Sequence, residues 1–267
     1  MHWLSRIACL LVLVLATGLS PVSNAAPAAC DFATRASSGA QASTIVELYT
    51  SEGCDSCPPA DKWFSTLSYE KNGIVPLAFH VDYWDYIGWK DRFGKVAFAE
   101  RQRTTVTRQG SRTVYTPQVM LDGKDMRAWS FNSGFQSGVR EALAKPARAS
   151  LALDARTVAD NIEVALKVSV PDVSLRGESV LFLAVAENKL LSRVTAGENK
   201  GVNLNHDHVV RELIGPIALR ADGALDIRRT IPVAADWKRA DLEVAVFVQN
   251  QRNGEVLQAL SGALCRP

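Results

Sequence analysis

The sequence predicts two folded parts in tandem: an α/β domain over residues 43–146 and an all-β antiparallel sandwich over residues 147–267. Three observations carry this reading. Residues 45–81 read as strand, helix, strand. A third apolar strand, a tight turn and a helix follow from residue 115. Beyond residue 150 the helical period gives way to short alternating segments separated by turn residues, the pattern of a sandwich.

The elements follow in chain order. Arg6, the apolar run 7–16, Pro21 and the small-x-small Ser23-Asn24-Ala25 form a secretory leader, with cleavage expected after Ala25. The alternative is an uncleaved anchor, although the apolar run is short for a bilayer. No other stretch is apolar enough to span, so the mature chain is expected without a membrane span, in the periplasm or secreted. Residues 26–42, rich in Ala and Ser, are expected to be a tether.

Residues 45–49 are β-branched and aromatic, and Ser51-Glu52-Gly53 breaks the strand. Cys54-Asp55-Ser56-Cys57 follows, and then Pro58-Pro59, tolerated in a first helical turn. Trp63, Phe64 and Leu67 extend that helix to about Ser68. Two cysteines at this spacing can close a small ring: one thiolate attacks a substrate disulfide, and the other resolves the mixed disulfide. Cys54, at the turn, is the expected attacking thiol, and Cys57 the resolving one. A carboxylate at Asp55 disfavours the thiolate and predicts a dithiol less oxidising than the strongest periplasmic oxidants. An inert structural disulfide and a pair of metal ligands are the alternatives.

Asn72-Gly73 is a turn, and residues 74–81 form a nearly unbroken apolar run, the mark of a strand buried on both faces. Beyond its end lies an aromatic stretch, His80 to Asp91. Ligand sites in open α/β sheets form at that end, so Trp84 and Trp89 are candidate substrate-binding residues; the alternative is a satellite hydrophobic cluster. Residues of about 82–112 are expected to be an insertion carrying a helix. Thr116-Pro117 opens the next strand, where proline is allowed. Asp122-Gly123 makes a hairpin turn, and a helix runs from 132 to about 144. Past Lys145-Pro146, strands are expected near 151–155, 162–170, 180–186, 209–214, 225–231, 242–248 and 256–264.

Cleavage removes Cys9 and leaves Cys30, Cys54, Cys57 and Cys265, an even count that suggests pairing in an exported chain. A Cys30–Cys265 disulfide is expected to tie the termini together. His206-Asp207-His208 is the one His cluster. Alternate positions in a strand would put both imidazoles on one face for a metal, against a loop cap with hydrogen-bonded side chains.

The first part, with its Cys-x-x-Cys and Thr116-Pro117, looks like the thioredoxin fold. Val46-Glu47-Leu48-Tyr49-Thr50-Ser51-Glu52-Gly53-Cys54, His80-Val81-Asp82-Tyr83-Trp84-Asp85, Tyr115-Thr116-Pro117-Gln118 and His206-Asp207-His208-Val209-Val210-Arg211 together resemble an exported bacterial thioredoxin-like family catalogued as a domain of unknown function, DUF1223. The resemblance implies an α/β thioredoxin-like domain before the sandwich, with a cis Pro117 facing the dithiol and Thr116 pairing with a bound peptide. It also implies a buried carboxylate on the strand before the cysteines, for which Glu47 is the candidate proton carrier, one residue further from Cys54 than is usual.

The expected activity is thiol–disulfide exchange on protein or small-molecule thiols and disulfides, with a redox partner protein to regenerate the pair. A copper-binding or copper-delivery module on Cys54, Cys57 and His80 is the alternative, and a non-catalytic binding protein the third. No Gly-rich phosphate loop of the required form occurs, so no organic cofactor is expected. A net charge of +2, without a basic stripe interleaved with aromatics, argues against nucleic acid.

Overall fold

The computed structural model describes residues 32–130 and 132–265. The expected leader and Cys30 lie outside the described residues, and the Cys30–Cys265 bridge with them. Within the expected tether, Ala33–Ser37 forms β1. The strands that follow are β2 (Thr44–Thr50), β3 (Ile74–His80), β4 (Gln118–Leu121), β5 (Lys124–Asp125), β6 (Ser150–Val158), β7 (Asn161–Ser169) and β8 (Ser179–Glu187). Then come β9 (Leu190–Arg193), β10 (Asn203–His206), β11 (Val209–Ala218), β12 (Ala224–Pro232), β13 (Leu242–Asn250) and β14 (Val256–Ala263). The helices are α1 (Pro58–Phe64), α2 (Tyr69–Asn72), α3 (Val96–Arg108), α4 (Asn132–Leu143) and α5 (Val173–Arg176). Among the described residues, no helix is long and apolar enough to cross a membrane.

The strands form a four-stranded sheet β1-β6-β7-β12, a two-stranded β10-β9 ribbon, and a mixed eight-stranded sheet in the order β14-β13-β8-β11-β3-β2-β4-β5. This corrects the expected architecture. The protein is not an α/β thioredoxin-like domain followed by a separate all-β sandwich. Among the described residues strand outweighs helix, 42% against 21%, and strands from both halves of the chain share the large sheet. The physical reason is the free edge of β3. An unpaired edge exposes a row of N–H and C=O groups that need partners. Strand β11 supplies them: Val209 pairs with Ala78 in parallel register, and the Ala78 N–H donates to the His208 carbonyl at 2.8 Å. Strand β8 then pairs with the other edge of β11, and β13 and β14 continue outward.

Alternation decides what each face carries. Ile45 and Tyr49 on β2, Val75, Leu77 and Phe79 on β3, and Phe182 and Phe247 on the far strands pack with Phe98, Ala99 and Val106 of α3. The expected insertion helix thus covers one face of the sheet. Val46, Leu48, Ile74 and Ala78 point the other way, onto Ala60 and Phe64 of α1 and Phe135 and Val139 of α4. At the far end of that second face, Leu181, Leu183, Val244 and Val246 meet Leu151, Leu153, Ile162 and Val164 of the four-stranded sheet. Strands β2 and β3 are buried along their whole length, which explains their apolar runs. Helix α1 stops at Phe64, short of Ser68. Ser65 and Thr66 turn their hydroxyls back onto the Asp61 and Trp63 carbonyls, and Ser68 is extended before α2.

Candidate functional site

The end of β2, the turn of residues 51–57 and the start of α1 hold the cysteines. Cys54 and Cys57 form a disulfide with their Cα atoms 5.4 Å apart. The turn is closed by the Cys54 N–H on the Ser51 carbonyl and the Gly53 N–H on the Ser51 hydroxyl, each at 3.1 Å. Cys57 is the N-cap of α1, its carbonyl accepting from the Ala60 and Asp61 N–H groups at 2.9 and 3.1 Å. Pro58 and Pro59 occupy the first turn, where no intrahelical N–H is missed.

The disulfide is covered: Cys54 is 1% exposed and Cys57 0%. Two distant segments make the cover. From the aromatic stretch, Trp84 lies so close to Gly53 that any Cβ there would stand 3.1 Å from its own. Its indole N–H donates to the Thr116 hydroxyl at 2.7 Å, and the Thr116–Pro117 peptide is cis. Trp84 therefore joins the Thr116-Pro117 strand start to the cysteine turn. The Trp89 indole N–H donates to Glu52 Oε2 at 2.7 Å. From the loop between β9 and β10, the Asn199 amide donates to the Glu52 and Cys54 carbonyls, both at 2.9 Å, and Glu198 accepts the Asp55 N–H at 3.3 Å. Gly197 is small because the Trp89 Cβ would lie 3.1 Å from a Cβ at that position. Clefts of about 490 and 360 Å³ lie elsewhere, over the four-stranded sheet and beside α3, and neither borders Cys54 or Cys57.

Glu47 sits on the other face of the sheet. Its Oε1 accepts from Arg101 Nε at 2.6 Å and the Tyr49 hydroxyl at 3.1 Å, beneath α3, whereas α1 packs on the face of Val46 and Leu48. Its carboxylate neutralises a buried guanidinium, and the structure does not bring it to the cysteines. The thiols that a copper site on Cys54, Cys57 and His80 would need are joined to each other, and His80 Nδ1 is 2.7 Å from Asp91 Oδ2.

His206 and His208 do not share a face. Strand β10 ends at His206, and His208 turns into a left-handed conformation, φ 58°. His208 then lies between Glu243 (Nδ1, 2.8 Å) and the Leu67 carbonyl, to which Nε2 donates at 3.1 Å. Burial opposes its charge, but Glu243 outweighs burial and holds its pKa above the usual value.

His206 instead enters a buried cluster that the sequence reading missed, with Glu52, Asp61, His80 and Asp91. Its Nε2 is 3.4 Å from Glu52 Oε1 and its Nδ1 3.8 Å from Asp61 Oδ2. Asp91 accepts N–H groups from Glu52 and Phe93 besides facing His80. Burial pushes the Asp61 carboxyl up. Burial would also raise Glu52 and Asp91, but facing imidazoles and N–H donors hold both below the usual carboxylate range. His80 is raised, because Asp91 outweighs the burial of the imidazole. One signal for this cluster was in the sequence: Asp61 follows Cys57 by four residues, one helical turn.

Comparison with known proteins gives a family and a fold. The model of the family described as "Protein of unknown function (DUF1223)" matches residues 45–249. A protein of Agrobacterium tumefaciens, solved by X-ray crystallography in a structural genomics programme, is similar at 22% identity and a TM-score of 0.59. That match covers 82% of this chain and 92% of the other. HBP35 of Porphyromonas gingivalis is similar at 16% identity and a TM-score of 0.62, over 84% of this chain and 76% of that one. At these identities the likeness concerns the fold alone. No curated protein matches the chain.

Proposed function

The chain belongs to the family described as a protein of unknown function, DUF1223, and we propose from its own geometry that it carries out thiol–disulfide exchange at the Cys54–Cys57 pair. One observation carries this reading. Two cysteines three residues apart are bonded to each other on a strand-to-helix turn, in a ring that either sulfur can open. Cys54, on the turn, is the sulfur that a partner attacks or that attacks a partner. Cys57, capping α1, leaves or resolves. Thr116 and Pro117 adjoin the site through Trp84. The substrates are protein or small-molecule thiols and disulfides, and a redox partner protein resets the pair. Export behind the expected leader would place the chain where disulfides persist.

Because both cysteines are buried, exchange requires the cover to open. Trp84, Trp89 and Asn199 are the side chains that must move, which gives the two tryptophans a gating part in substrate access.

The test is the reduction potential of the pair. The mature protein is equilibrated in glutathione buffers, and alkylated peptides are mapped by mass spectrometry. Reversible reduction above about −230 mV places the pair among exchange-active or oxidising dithiols. Resistance down to about −300 mV marks a structural disulfide and ends the reading.

A further inference from the structure

Behind the cysteine turn lies a set of polar atoms that exchange at sulfur alone does not use. Glu52 Oε1, Asp61 Oδ2, His80 Nε2 and both ring nitrogens of His206 have no hydrogen-bond partner among the described residues, and all four side chains are more than nine-tenths buried. An unpaired buried polar atom costs about 1–3 kcal/mol, so five in one place call for a role. They are arranged as a chain. Glu52 faces one nitrogen of His206, and Asp61 faces the other. The space among Asp61, His80, His206 and Asp207 is too small for a water molecule. Any proton crossing it must ride on the side chains.

Both ends of the chain lead somewhere. Asp61 sits one turn after Cys57 on α1, its N–H bonded to the Cys57 carbonyl. Helical side chains lean toward the N-terminus, which directs the Asp61 carboxyl back over the Cys57 turn. At the other end, Glu52 Oε2 is held by the half-buried Trp89, on the side that faces the cover. The Thr50 hydroxyl faces Asp61 and the Ser192 hydroxyl faces Glu52; the charged groups facing the chain are Asp91, which fixes His80 from the loop before α3, and Asp207, occupied by the Lys189 N–H. The His80 ring stands edge-on to His206, their centroids 4.9 Å apart.

We propose that Asp61, His206 and Glu52 form a buried proton relay for the Cys57 sulfur. The proposal rests on the exchange reading above. In the reductive direction a thiolate co-reactant bonds to Cys54 Sγ and the Cys54–Cys57 bond breaks, its electron pair leaving on Cys57 Sγ. That thiolate takes the proton of the Asp61 carboxyl. Asp61 is reprotonated from His206, and His206 from solvent by way of the Glu52 carboxylate. A second thiolate then attacks the co-reactant's sulfur in the mixed disulfide and frees the Cys54 thiolate, so two thiols end as one disulfide and the protein gains two electrons. The oxidative direction reverses each step, with Asp61 accepting the Cys57 proton. The raised Asp61 carboxyl suits it to hold that proton at rest.

The relay is tested by the rate at which dithiothreitol reduces the pair in the mature protein from about pH 5 to pH 9, read by quenched alkylation. Asp61→Asn is expected to slow reduction near neutral pH by about 100-fold and to remove an inflection that the thiolate fraction of dithiothreitol does not explain. Asp61→Glu should restore part of the rate, and His206→Gln should displace the inflection. An unchanged profile in a folded Asp61→Asn protein overturns the relay while the exchange reading stands. Should Asp61→Asn fail to fold, an unchanged profile in His206→Gln overturns it equally. A wild-type bridge that dithiothreitol cannot reduce overturns the exchange reading and the relay together. Stoichiometric zinc, manganese or iron in the purified protein, lost in Asp61→Asn, would make the cluster a metal site and overturn the relay.

Discussion

Asn199 decides how tightly the cysteine turn is covered. Its amide holds two carbonyls, Glu52 and Cys54, that are otherwise buried. Asn199→Ala takes this donor from the Glu52 carbonyl and leaves the Cys54 carbonyl with the Cys57 N–H alone, and it is expected to cost about 1–3 kcal/mol, read as a lower urea midpoint. It should also speed reduction of the pair, because the loop between β9 and β10 then lifts more readily. A stability loss without faster reduction would mean that access runs past Trp84 instead. Glu47 gives the opposite expectation. Removing its charge strands Arg101 beneath α3, so Glu47→Gln is expected to cost about 3–5 kcal/mol and to leave the pH profile of reduction unchanged. The strand carrying Glu47 was readable from sequence. Whether its carboxylate is buried, and on which side of the sheet, was not, because both depend on Arg101 arriving from a helix 54 residues away.

At the level of elements, local pattern was legible and long-range pairing was not. Strands β2 and β3 and the proline-led α1 follow from apolar runs and backbone chemistry, and each expected C-terminal segment contains a strand. The short β9 and β10 were missed, since four residues carry little periodicity. With them went the destination of His206, whose partners Glu52 and Asp61 lie some 150 positions earlier in the chain. His208 closes the junction between β10 and β11 and carries a pH signature. Its folded pKa is raised, so its contribution to stability is complete below the unfolded value of about 6.5 and is lost as pH rises through the folded value. His80 has the same sign. Urea midpoints should therefore decline with rising pH above about 6.5, and the decline should be shallower in His208→Gln, which keeps a donor for Leu67 but no charge for Glu243. A slope unaffected by His208→Gln would assign the dependence to His80 and its neighbours.

For the whole molecule, the shared sheet predicts how the chain unfolds. The described residues fall in one compact unit, and the join is more than the β11–β3 edge. Phe182 and Phe247 share a core with Phe79 and Phe98, so α3 rests on strands from both halves. Asp122 in the β4–β5 hairpin accepts the Val256 N–H at 2.7 Å. In the same hairpin, a Cβ on Gly123 would stand 2.4 Å from the Gly254 carbonyl, a contact that only glycine allows at its φ of +72°. A fragment ending at Pro146 would lose these contacts and expose the β3 edge together with the α3 face, leaving apolar surface and unpaired N–H groups in water. It is expected to show no cooperative urea transition and to aggregate, while the intact mature chain unfolds in one step by both tryptophan fluorescence and far-ultraviolet circular dichroism. Two resolved transitions, or a soluble fragment with protected amides in β2 and β3, would instead show that the first half is stable without β11. The same coupling bears on function, because Asn199 and His206 come from the second half and the cysteines from the first. Loosening the β11–β3 edge should therefore speed reduction of a disulfide that β11 does not touch.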